Sequence, residues 1–197
     1  MSTPLIEREL MNVPRHRWTV GEFHRMAEVG LLNEDSRVEL IDGEIIEMAP
    51  IGSFHGGNVN RLTRLFSKVI GDKAIISVQN PVVLGGYAEP QPDLSILRWR
   101  GDDYEQSNPH SEDVLLLVEV SDSTLHYDRD VKIPLYARNG IPEVWLLDIQ
   151  NRQLEIYREP INGQYQQRDC RRTGQIAPIL CPDAIIDLAE LFPGSGT

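Results

Sequence analysis

The spacing of apolar residues changes from segment to segment along this chain. Residues 1–16 show no apolar period and read as a flexible arm. Thr19-Val20-Gly21-Glu22 has the spacing of a capping box, in which the two side chains satisfy backbone N–H groups that a helix start leaves free. A short helix is therefore predicted there, closed by Gly30. Arg37-Val38-Glu39-Leu40-Ile41 and Glu44-Ile45-Ile46-Glu47-Met48 flank Asp42-Gly43, a strong hairpin signal. Val59, Leu62, Leu65, Phe66, Val69 and Ile70 then recur at helical spacing, with Arg61, Arg64 and Lys68 on the opposite face.

Short strands are predicted at Ala74–Val78, Pro81–Leu84 and Asp93–Leu97, followed by a polar loop over Asp102–Asp113. Val114–Val120 is an apolar run interrupted only by Glu119, the mark of a strand covered on both faces. A helix over Asp128–Arg138 ends at Asn139-Gly140, and an apolar strand over Glu143–Ile149 pairs with Arg152–Arg158 as a hairpin. The tail offers a strand near Tyr165–Arg168 and a short helix near Asp187–Leu191. This order predicts an α/β (α+β) fold, a mixed β-sheet flanked by helices with extra hairpins.

Length and composition narrow the class. At 197 residues, 41% apolar and 25% charged, the chain suits one globular domain, predicted over 17–192, with an arm over 1–16 and a tail over 193–197. The longest apolar run, Val114 to Val118, falls far short of the ~20 residues of a membrane span, and Glu7, Arg8 and Glu9 sit where a signal peptide needs apolar residues. With only Cys170 and Cys181, no disulfide framework is expected, and a reducing cytoplasm is. The net charge of -11 argues against a protein that coats nucleic acid nonspecifically. It is unevenly spread: residues 51–100 carry +3, while residues 101–150 carry -8.

Three residues break the local pattern. Pro92-Asp93 puts an acid at the mouth of one apolar strand, and Glu119 puts another near the end of the next. Lys132 follows on a predicted helix, four residues after Asp128. A carboxylate in an apolar strand is costly unless paired, protonated or metal-bound. Two such acids on neighbouring strand ends suit Mg²⁺ or Mn²⁺, and a nearby lysine can stabilise charge developing on a phosphate. Each also has a plainer explanation. Asp93 can be a turn residue, Glu119 half of a structural ion pair, and Lys132 with Asp128 an ordinary surface pair on a helix. Ser121 and Ser123 lack a Gly-x-Ser-x-Gly setting, the cysteines lack zinc-site spacing, and no glycine-rich phosphate loop appears.

Pro92-Asp93, Glu119-Val120-Ser121 and Lys132 together resemble the signature of the PD-(D/E)XK nuclease superfamily, and more closely the Uma-two family of restriction-endonuclease-like proteins. The stretches Val38–Ile45, His55, Gln91-Pro92-Asp93, Val118–Thr124, Tyr127–Lys132 and Tyr136–Asp148 carry the likeness, over about 17–192. One departure stands out: the superfamily places its lysine two residues after the acid, where this chain has Ser121. The resemblance implies that Lys132 takes over from the following helix.

It further implies Mg²⁺- or Mn²⁺-dependent hydrolysis of DNA. Asp93 and Glu119 would hold the metal with the carbonyl of Val120, Glu39 would be an added acid, and Lys132 would align water and stabilise the reacting phosphate. His55, Gln91, Arg61 and Arg64 are weaker substrate candidates. His55 can also be a surface residue of the helix start, and Arg61 and Arg64 a solvated helix face. A homodimer is the usual means by which such folds cut two strands. The alternatives are a nuclease fold without turnover that serves as a binding module, and a metal-dependent phosphodiesterase on small substrates. Several of the acids being ligands, the net charge excludes only a protein that holds DNA by charge alone.

Overall fold

The computed structural model describes residues 14–33 and 36–193. The predicted arm and tail lie outside these residues except for 14–16, which have no regular structure, and 193. Helix α1 (Val20–Glu28) starts at the expected capping box, with Thr19 and Glu22 bonded reciprocally. The first hairpin joins β1 (Val38–Ile41) to β2 (Glu44–Glu47), antiparallel, with Val38 opposite Glu47 and Glu39 opposite Ile46. Asp42 and Gly43 both take positive φ, 50° and 83°, the turn that suits the twist of a two-residue hairpin. Helix α2 (Ser53–Ile70) follows, then β3 (Ala74–Val78), β4 (Leu94–Arg98) and β5 (Val114–Ser121).

The next helical stretch, α3, is built of Leu125–Tyr127, a π-helical turn Asp128–Lys132 and Ile133–Arg138. Strands β6 (Glu143–Asp148), β7 (Gln153–Ile161) and β8 (Gln164–Arg171) complete the main sheet. The tail adds a small pair, β9 (Gln175–Ile176) with β10 (Ile186–Asp187), and helix α4 (Leu188–Leu191).

The six strands lie in the order β3-β4-β5-β6-β7-β8. All neighbours are antiparallel except β5 and β6, which are parallel. A parallel pair needs a crossover, and α3 supplies it. Every residue of β5 and β6 is buried, as expected of central strands covered on both faces. On one side Val59, Leu62 and Phe66 of α2 pack on Leu94, Val118, Val120 and Trp145, and the Phe66 and Trp145 rings lie 5.7 Å apart. On the other, Ile133, Leu135 and Tyr136 of α3 pack on Leu117, Val144 and Leu146. The mixed sheet flanked by helices matches the sequence expectation.

Two expectations need correction. Pro81–Leu84 forms no regular strand; Val83 and Leu84 make only isolated bridges, to His110 and Ala88. Proline offers no N–H to a ladder, and the backbone turns at Gln79, whose φ is 52°. The strand near Tyr165–Arg168 is instead the longer β8, paired with β7 across Asn162-Gly163, both at positive φ.

Helix α3 is clamped to the back of the sheet by a charged cluster. The buried Glu155 of β7 accepts from Arg129 Nη2 at 2.5 Å and from Arg168 Nη2 at 2.8 Å, and Tyr157 donates to it as well. Burial alone would raise its carboxyl, but these donors outweigh burial and hold it below the ordinary carboxylate value. A depressed folded-state pKa contributes stability above the unfolded value and loses it as pH falls through the folded one. Glu155→Gln is therefore expected to lose about 1–3 kcal/mol at neutral pH and much less in acid, read from urea unfolding at several pH values. An equal loss at every pH would contradict the clamp.

Candidate active site

Two strand ends and two covering elements converge on one cavity. Its volume is about 450 Å³, and Asp93, Glu119, Lys132, Glu39, His55 and Gln91 all border it. Asp93 precedes β4, and the β4–β5 register ends where Leu94 meets Val118. Val120 thus projects past the end of β4, and its N–H donates to Asp93 Oδ2 at 2.8 Å. The N–H and C=O of a strand residue face the same side, so the Val120 carbonyl is turned toward Asp93 too. Asp93 Oδ1 meets His55 Nε2 at 2.8 Å and Gln79 Nε2 at 3.3 Å.

Glu119 alternates with Val118 and Val120 along β5, so its side chain faces α3 rather than α2. There Lys132 Nζ lies 3.2 Å from Glu119 Oε1 and 3.2 Å from Glu39 Oε2, with only 5% of Lys132 and 2% of Glu119 exposed. Tyr136, one turn on from Lys132, donates to the same Glu119 oxygen. Glu39 has a donor on each oxygen: Tyr127 donates to Oε1 at 3.0 Å, and the Gln91 N–H donates to Oε2 at 3.1 Å beside Lys132. Glu39 therefore holds the lysine in place. Lys132 is a buried hub, not the surface partner of Asp128. That acid is itself buried and accepts from Ser121 Oγ at 2.6 Å and Thr124 Oγ1 at 2.7 Å.

The charges of these groups are linked. Burial opposes the Lys132 ammonium, but Glu119, Glu39, Asp128 and Asp93 outweigh it and raise the lysine above its usual value. Burial pushes Glu119 up to about 8 against the pull of Lys132, with Asp128 and Asp93 adding to the rise. The hydrogen bond that the His55 ring donates to the Asp93 carboxylate raises His55. Burial and the neighbouring Glu39 raise the Tyr127 phenol. Among the described residues of the cavity wall, the carboxylates of Glu39, Asp93, Glu119, Asp122 and Asp128 outnumber the cations Arg37 and Lys132, with His55 paired to Asp93.

Those donors fit a hard divalent cation. Among the described residues no three His, Cys, Asp or Glu side chains form a ready-made ligand cluster. The strand ends offer two carboxylates and a main-chain carbonyl, all oxygen. Mg²⁺ keeps several waters and needs only one or two carboxylates from the protein. Glu119 Oε2 makes no hydrogen bond among the described residues, and the excess of carboxylates at the wall is what a cation would offset.

Two candidates are not brought to the cavity. Arg61 donates to Asn58 Oδ1 at 2.8 Å and to the Leu191 carbonyl at 3.4 Å, tying α2 to α4. Arg64 is exposed on α2 and does not border the cavity. Gln91 does border it, but its side-chain amide donates to the Gln79 carbonyl. Sequence reasoning missed Gln79, Tyr127 and the role of Tyr136, which reads as core from its apolar spacing, and gave Asp128 no role beyond a possible surface pair with Lys132. The signal for Tyr127 and Asp128 was their place beside Lys132 in a stretch that carries the family likeness.

A mixed sheet flanked by helices, with two acids at adjacent strand ends and a lysine brought in beside them, defines the restriction-endonuclease-like class of fold. The sequence matches the family Uma2, described as "Putative restriction endonuclease", over residues 20–189, and the chain belongs to that family. A solved structure from Anabaena variabilis ATCC 29413, described as a "putative nuclease belonging to DUF820", shares the fold. The two superpose with a TM-score of 0.69 at 18% identity, covering 88% of this chain and 97% of that one. No curated protein matches.

The lysine hub yields a stability test. Lys132→Met leaves buried carboxylates uncompensated and is expected to lose about 3–5 kcal/mol in urea unfolding. Adding Glu119→Gln to that variant should recover part of the loss. Losses that simply add would show that the two groups do not interact.

Proposed function

We propose that this protein is a divalent-metal-dependent endonuclease that hydrolyses DNA phosphodiester bonds. The observation that supports it most is the buried Lys132 ammonium held against Glu119 beside Asp93, where both strand ends open into one cavity. Hydrolysis joins a water oxygen to phosphorus, breaks the bond from phosphorus to the leaving sugar oxygen, and puts a proton on that oxygen. Asp93, Glu119 and the Val120 carbonyl would hold Mg²⁺ or Mn²⁺, which when bound polarises the phosphate and acidifies water.

The protein's own groups do the rest. His55, Gln79 and the Val120 N–H fix the orientation of Asp93. Two of the three N–H donors of Lys132 are turned to Glu39 and Glu119, which leaves one for a phosphate oxygen. Its fixed positive charge stabilises the negative charge that grows on that oxygen in the transition state. Glu39, with Tyr127 and the Gln91 N–H bound to it, keeps the ammonium from drifting toward solvent.

The same proposal places the protein in the cytoplasm as a homodimer. Cys170 and Cys181 are both free, no helix among the described residues is long and apolar enough to cross a membrane, and two copies would supply one site for each strand of a duplex.

Plasmid DNA is expected to be cut with Mg²⁺ or Mn²⁺ and spared with EDTA. Asp93→Asn and Lys132→Ala should each slow cutting by about a hundredfold or more while the proteins remain folded by circular dichroism. Cutting unchanged in both variants would overturn the assignment. Cleavage of a small chromogenic phosphodiester with DNA spared would point to a small-substrate phosphodiesterase, and folded protein inert on both would point to a binding module.

A further inference from the structure

The face that the first hairpin turns to the cavity has two chemical halves. In the β1–β2 register Glu39 faces Ile46, and the Met48 N–H to Arg37 carbonyl bond, at 2.8 Å, continues the ladder outward. Side chains two apart on a strand share a face, so Arg37, Glu39, Ile46 and Met48 stand together, and all four border the cavity. Glu39 is at the buried end, gripping Lys132. Arg37 is one pleat repeat nearer the mouth, about 6.6 Å along the strand.

Arg37 is exposed and makes no ion pair among the described residues, whereas the other cation at the wall, Lys132, is engaged by two carboxylates. Beside it Ile46, Met48, Pro50 and Ile51 form an apolar wall, with Ile51 44% exposed. A free guanidinium next to a bare apolar wall matches a ligand that is anionic on one side and flat and apolar on the other. A nucleotide has that form: phosphate for Arg37, base for the wall. A duplex hides its base faces in the stack and can present one only by unstacking it, at a cost of about a few kcal/mol that an already unpaired base avoids. Nor do the described residues lining the cavity carry a row of cations that would grip a duplex backbone: Arg61 and Arg64 lie away from it, and the net charge of the chain is -11.

We propose that the cavity admits an unpaired nucleotide of a DNA strand, with Arg37 holding the phosphate next to the reacting one and the Ile46–Met48–Ile51 wall taking its base. The site then prefers a single strand or an unpaired tail, and takes duplex, plasmid included, only where a base leaves the stack. This rests on the hydrolase reading of the same site.

The test is binding of the full-length Asp93→Asn protein with Mg²⁺ to labelled oligonucleotides. The probes are a single strand, a blunt duplex, a duplex with an unpaired tail, and a single strand with abasic positions. Single strand and tailed duplex should bind about tenfold more tightly than blunt duplex. Arg37→Ala should weaken single-strand binding about tenfold and flatten the dependence of log K on log salt by about one, while Arg37→Lys keeps the slope. Ile51→Ser should weaken the normal strand and leave the abasic one unchanged.

Blunt duplex bound as tightly as single strand, an Arg37→Ala variant with unaltered affinity and slope, or no binding to any probe would overturn the proposal. If the binding pattern appears but the unaltered protein cuts nothing with Mg²⁺ or Mn²⁺, the hydrolase reading falls and the nucleotide site stands. If blunt duplex is cut as fast as single strand and Arg37→Ala cuts normally, the nucleotide site falls and the hydrolase reading stands.

Discussion

An ammonium buried between two buried carboxylates is the constraint on which the rest of the site depends. Lys132 touches Glu119 on a central strand and Glu39 on the first hairpin. Taking such charges out of water costs several kcal/mol per ion, and the cost is recovered only if geometry and extra hydrogen bonds are good. The fold supplies them: Tyr136 on Glu119, Tyr127 and the Gln91 N–H on Glu39. The lysine thus fastens the hairpin and α3 to the end of β5. The elements that wall the cavity are held by the group proposed to act in it.

The topology explains why this happens at one edge of the sheet. β5 and β6 run parallel, so the chain must leave the end of β5, cross as α3 and return. That crossover begins beside Glu119 and carries Asp128, Lys132 and Tyr136 back over it. The π-helical turn at Asp128–Lys132 lies within it, and both of those residues are buried there. β4 stops short of β5, leaving the Val120 N–H to Asp93 rather than to a ladder partner. A shortened strand and an irregular helix, each a small loss of regular pairing, together free polar groups to face a cavity.

Much of this was legible in the sequence because it broke a pattern. Glu119 stood out as the one charge in an apolar strand, and Asp93 as an acid at a strand mouth. Asp42-Gly43 announced its hairpin through turn chemistry. Lys132 was different. Its spacing from Asp128 also fits an ordinary helical surface pair, and its link to the acids rested on chain order and the family resemblance rather than on any broken pattern. Periodicity assumes a regular helix, so the π-turn, the burial of Asp128 and the second role of Tyr136 could not be seen. Arg61 failed for a related reason: helical spacing separates faces but not solvent from a neighbour, and the neighbour is α4, over a hundred residues further along the chain. The apolar rim before α2 carried no periodic signal, and Arg37 gains meaning only from the register that aligns it with Glu39 and Met48.

The account predicts that one divalent cation belongs at the ends of β4 and β5, and anomalous diffraction from crystals grown with Mn²⁺ tests that most directly. A single strong peak should appear about 2.1 Å from oxygens of Asp93 and Glu119 and from the Val120 carbonyl, with Lys132 still within hydrogen-bond distance of Glu119. Mn²⁺ found only on surface carboxylates, with Asp93 and Glu119 bare, would contradict it.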